Sequence, residues 1–113
     1  MPFHTYRYTK VRGPYSNQYP SISWEFNLYG KTLMFKFARC NPKDQFSYET
    51  ARQILSDRGW YQVKYDPKLS LVENVVNRFR GSPDSFQRRI VKDYELIQNI
   101  NRQRIAADWG VYT

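Results

Sequence analysis

Apolar and polar residues alternate most regularly between residues 21 and 39, SISWEFNLYGKTLMFKFAR. Ile22, Trp24, Phe26 and Leu28 share one face of a strand, and Leu33, Phe35 and Phe37 share one face of the next. Period-two alternation rich in aromatic and β-branched residues predicts a half-buried strand. A two-residue turn at Tyr29 and Gly30 pairs Leu28 with Lys31, Phe26 with Leu33, Trp24 with Phe35 and Ile22 with Phe37. The two apolar faces then coincide. On the opposite face Glu25 falls diagonally near Lys36, as a weak ion pair. Residues 3–12, FHTYRYTKVR, also alternate and predict a strand. Residues 13–20, GPYSNQYP, are turn chemistry and predict a surface loop.

From residue 47 the period changes. Tyr48, Ala51, Ile54 and Leu55 form a stripe at helical spacing over 47–58, with Ser47 placed to cap its start and Gly59 to end it. WYQVKY (60–65) predicts a short strand, and Asp66-Pro67 a turn. Ser70 and Glu73 form a capping box before Val72, Val75, Val76 and Phe79, and Gly81 stops that helix. Ser82-Pro83 reads as the cap and first residue of a third helix running to about Ala107, with Phe86, Ile90, Tyr94, Ile97 and Ile100 inward. The order β-β-β-α-β-α-α predicts an α+β fold. An antiparallel sheet, with the 21–39 hairpin central, is packed by two or three helices on one face, the long one C-terminal. No repeat or linker divides the 113 residues, so one domain is expected.

Charge changes the picture more than composition does. The formal net charge is +8 and the sequence pI about 9.7. Residues 1–40 carry six Lys/Arg against one acid, a net of +5, while the other 73 residues carry twelve against nine. A small globule with this surplus attracts polyanions: nucleic acid, nucleotides or acidic protein faces. His4 and Cys40 are the sole histidine and the sole cysteine. They build neither an intrachain disulfide nor a His/Cys zinc site, and a His-based triad is not expected. No phosphate-binding glycine loop occurs. The chain therefore reads as non-enzymatic, with no cofactor. The first ten residues hold no apolar run and no stretch suffices to span a bilayer, so no leader, no membrane partner and a cytoplasmic location are expected.

Two constellations suit anion binding. The first is the aromatic-basic run Tyr6, Arg7, Tyr8, Lys10 and Arg12, continued by Tyr15 and Tyr19. There arginine meets phosphate and tyrosine offers a stacking face. The second is RCNPKDQF (39–46), between an apolar strand and a helix N-terminus. Arg39, Lys43 and Gln45, with Arg52 in the helix and Phe35 in the strand, would converge on a phosphate and a flat base. The plain alternatives are a solvated strand for the first, and for the second a polar turn beside a core Phe35. A basic face of Arg88, Lys92 and Arg102, extended by Arg78 and Arg80, is interleaved with Asp84, Asp93 and Glu95. It reads as a solvated helix face laced with ion pairs.

The run FARCNPKDQFSYETARQIL (37–55) resembles a segment of small phage-encoded proteins: an apolar strand, C-x-P-K-D-x-F, then an arginine-bearing helix. Among these it is similar to phage anti-Thoeris sponge proteins. The resemblance implies a non-catalytic anti-defence protein of an infected cell that sequesters a nucleotide signal, with Phe35 stacking on the base, Gln45 as a polar contact and Arg52 on phosphate or ribose. Arg39 and Lys43 are then supporting charges, and a homo-oligomer is implied, because sponge pockets form between subunits. Two other readings stand beside it. One is a nucleic-acid binder or CRISPR inhibitor acting through the Tyr/Arg-rich N-terminal region. The other is a protein–protein inhibitor whose basic surface meets an acidic host defence protein.

Overall fold

The computed structural model describes residues 3–14, 16–42, 44 and 46–110, with side chains as far as residue 104. Four strands, β1 (Phe3–Thr9), β2 (Ser21–Tyr29), β3 (Thr32–Cys40) and β4 (Tyr61–Lys64), form one antiparallel sheet in the order β1-β2-β3-β4. Helix α1 (Tyr48–Ser56) links β3 to β4, and α2 (Leu71–Phe79) and α3 (Ser85–Gly110) follow. The α+β architecture, the central hairpin and the long last helix are those expected from the residue pattern.

The hairpin register differs by two residues from the one predicted. Tyr29 pairs with Thr32, Leu28 with Leu33, Phe26 with Phe35 and Trp24 with Phe37. The turn is Gly30-Lys31. Gly30 has φ +59°, while no described residue other than glycine has positive φ. Positive φ at the first central position alone is the type II′ pattern, which calls for glycine there. A shift of two residues keeps every side chain on its face, so the apolar match survives. Glu25 lies directly opposite Lys36, with Nζ 3.8 Å from Oε1.

Helices cover both faces of the sheet, not one. Ile22, Trp24, Phe26, Leu33, Phe35 and Phe37 pack against Val75, Val76 and Phe79 of α2 and against Ile90, Val91 and Tyr94 of α3. Each fully buried side chain of this kind stabilises by about 1.5–3 kcal/mol. The fully buried Trp24 keeps its indole N–H satisfied by donating to Thr9 Oγ1 at 3.0 Å. Ala51 and Leu55 of α1 are buried on the opposite face. Tyr48 and Ile54, expected in the same stripe, are exposed.

Local chemistry sets the ends of the elements. Ser47 Oγ accepts from Thr50 N, and Ser70 Oγ accepts from Glu73 N, as caps should. The third helix starts later than Ser82-Pro83 suggests. Asp84 Oδ1 accepts from Phe86 N at 2.8 Å and Gln87 N at 3.2 Å, so Asp84 is its cap. Phe86 is exposed, and Ile90, Tyr94 and Ile97 are buried. Strand β1 stops at Thr9, which pairs with Ile22 near the start of β2. Beyond it the Asn101 side chain replaces a strand: Asn101 Nδ2 donates to Lys10 O, and Arg12 N donates to Asn101 Oδ1.

Candidate functional site

Three cations meet where β4 forms the edge of the sheet. Lys31 sits in the hairpin turn, and its carbonyl accepts from Tyr65 N at 2.8 Å, which holds it beside Lys64. Lys64 faces Thr32 across the β3–β4 ladder. Arg78 lies in the last turn of α2. Buried Asn74 fixes the connection between β4 and α2: its Oδ1 accepts from Asp66 N at 2.7 Å, and its Nδ2 donates to Ser70 O at 2.8 Å and Asp66 O at 3.1 Å.

Lys31, Lys64 and Arg78 line a groove of about 550 Å³. All three are exposed, and among the described residues none has a carboxylate within ion-pair distance. A second cleft of about 460 Å³, under the α2–α3 turn, shares Gln62 and Arg78 with the groove and adds Tyr61, Arg80 and Gln87. The Tyr61 ring stacks on Phe35 with centroids 5.6 Å apart and planes 23° apart, yet remains 53% exposed. One ring face is thus backed by the core and the other is open. Arg80 is tied to Glu95, Nη1 to Oε1 at 2.6 Å, in an exposed pair. Gly81, with φ +73°, turns the chain so that Ser82 faces the cleft.

A different cluster lies on the α1 face, where cations and rings alternate. The Arg52 guanidinium stacks 4.6 Å above the Tyr6 ring, and its Nε donates to Tyr8 Oη at 3.2 Å. Tyr8, Phe46 and Tyr48 stand edge to face, with centroids 4.7–5.8 Å apart. Lys10 Nζ sits 4.9 Å from both the Phe46 and Tyr48 centroids and donates to Tyr48 Oη at 3.0 Å. Burial, and then the charge of Glu25, push the Tyr6 phenol above its ordinary value, while Arg52 pulls the other way. Arg52 and Lys10 are already held against neighbouring rings, while Tyr48 is exposed and lines, with Arg52, Glu49 and Gln53, a further cleft of about 650 Å³.

The candidate residues are distributed as follows. Tyr6, Tyr8 and Lys10 come together with Arg52, which the sequence had assigned to a different set. Arg7 points to the opposite face beside Trp24, where its guanidinium donates to Thr5 Oγ1 and Tyr6 O. Arg12 is exposed beyond the end of β1. Phe35 is 2% exposed among Phe79, Phe37 and Tyr61. Arg39 Nε reaches Asp93 Oδ2 at 2.5 Å, and its Nη1 donates to Asn41 Oδ1. Phe35 and Arg39 are therefore separated from Arg52 by the thickness of the sheet. Lys43, Gln45 and Tyr15 lie outside the described residues.

The turn itself does border a cleft, of about 580 Å³, between the 13–20 loop and residues 40–46. Among its described lining residues Lys10 is the one cation and Asp44 the one acid. Lys31, Lys64 and Tyr61 carry no sequence motif. The surplus of positive charge was the signal available for them, and only the β3–β4 pairing brings them together. Among the described residues no helix is long and apolar enough to cross a membrane. No protein-family model, curated protein or solved structure matches the chain.

Proposed function

We propose that this protein is a non-catalytic binder of a nucleotide-type anion, and that the ligand sits in the paired clefts along β4 and the α2–α3 turn. The observation that carries this reading is Arg78. It lines both clefts, has no acidic partner among the described residues, and stands beside the half-open ring of Tyr61. A guanidinium offers planar donors to phosphate, and a backed tyrosine offers a stacking face to a base. Gln62 and Gln87 supply the amide donors and acceptors that a base edge needs.

The sequestering role implied by the phage-protein resemblance suits such a site, although the residues that would carry it differ from those the resemblance implied.

The test is an amide chemical-shift map of isotopically labelled protein titrated with thymidine 5′-monophosphate. The reading predicts saturable shifts at Tyr61, Gln62, Arg78 and Gln87. Shifts confined to residues 40–46 would place the site in the turn cleft instead, and no saturable shift anywhere would remove the nucleotide reading.

A further inference from the structure

Resting on the reading above, the geometry points to a single-stranded nucleic acid several nucleotides long, not a lone nucleotide, as the ligand of this surface. Either cleft is large enough for one nucleotide-sized group, since small-ligand pockets begin at roughly 300 Å³. The two clefts adjoin, with Gln62 and Arg78 lining both, so a chain lying in one can pass over these residues to the other. The charge is spread along that path as well. Arg78 stands in the shared wall, and Lys64 and Lys31 lie farther on, toward the hairpin turn.

A second open ring marks the far end. Tyr29 pairs with Thr32, and Thr32 with Lys64, so Tyr29 lies in one cross-strand row with Lys64, and it is 51% exposed. Tyr61 and Lys64 are three residues apart on β4, roughly 10 Å at strand rise. Tyr61 faces α2 and α3, whereas Lys64 and Tyr29 face the other way. The path from one ring to the other therefore bends around the free edge of the sheet.

A duplex cannot follow it. Its bases are stacked away from the tyrosines, and it is stiff over about 150 base pairs. A single strand can bend at each phosphate and offer a base to each ring. Three phosphate contacts, at Arg78, Lys64 and Lys31, give a log–log salt slope of roughly −2 for single strands.

The experiment is fluorescence anisotropy with labelled oligodeoxythymidylates of increasing length and a hairpin duplex, alongside calorimetry with thymidine 5′-monophosphate. Expected are affinity rising with length to a plateau at about four nucleotides or more, at least tenfold weaker duplex binding, and a salt slope near −2. Replacing Lys31 and Lys64 by alanine should take roughly 1.4 off the slope of oligonucleotide binding. An affinity already at its plateau with one nucleotide, or equal affinity for duplex, would overturn this inference while leaving the nucleotide reading in place. Failure of every probe, the mononucleotide included, would overturn both.

Discussion

Phe35 and Arg52 lie on opposite faces of the sheet. Phe35 packs edge-on against Phe79 of α2 at 5.8 Å, while Arg52 stacks on Tyr6 beneath α1. One ligand cannot touch both side chains, and the two residues answer differently to substitution. Phe35→Ala empties a fully packed site and should cost about 3–5 kcal/mol in urea unfolding. Arg52→Ala should leave the unfolding midpoint near wild type and the oligonucleotide affinity unchanged. A loss of ligand binding in folded Arg52→Ala would mean that the α1 face takes part.

Arg39 is held away from any ligand by Asp93, with side chains only 12% and 10% exposed. Removing one partner strands the other charge in a dry site, so Asp93→Ala should cost about 3–5 kcal/mol. In a double-mutant cycle with Arg39→Met, the second substitution should cost far less than it does alone. Additive losses would show that the pair is not coupled.

The Tyr6 phenol titrates above its ordinary value in the folded protein, first through burial and then through Glu25. Above the unfolded value, near 10, the unfolded chain releases its proton before the folded one does. Stability present below that pH is therefore lost as pH rises through the folded value. Ultraviolet titration of the phenolate band should lose a late component in Tyr6→Phe. Arg52→Ala should delay its ionisation further, since the guanidinium favours the phenolate.

Gly30 has φ +59° and open space around the position of a Cβ. Gly30→Ala therefore tests backbone strain alone and should cost about 1–2 kcal/mol. Because Lys31 follows in the same turn, oligonucleotide affinity should fall modestly as well. A neutral effect on unfolding would argue against the type II′ turn and the register it sets.

Elements governed by local chemistry were legible in the sequence. The Ser47 and Ser70 caps, the alternation over 21–39 and the break at Gly81 each need only near neighbours, whereas the helix expected to end at Gly59 stops earlier, at Ser56, with Asp57 as its C-cap. The errors arose where two local signals compete. Gly30 takes the first central position of the turn, and Asp84 caps the N–H groups of Phe86 and Gln87 while Ser82 Oγ accepts from Asp84 N. The site was less legible for a different reason. Strand parity placed Phe35 with Leu33 and Phe37, but nothing local says that α1 returns over the other face. Lys31, Lys64 and Arg78 come from a turn, an edge strand and a helix end, and only the sheet topology makes them neighbours.

The central claim is that the Arg78 groove holds a nucleotide-type anion. The direct measurement is the affinity of folded Arg78→Ala for a labelled oligodeoxythymidylate, with thermal unfolding as the control. Arg78 is exposed and makes no ion pair among the described residues, so the unfolding temperature should not move. The account predicts at least a tenfold loss of affinity and a salt slope lower by roughly 0.7. Wild-type affinity in a variant that melts at the wild-type temperature would contradict it.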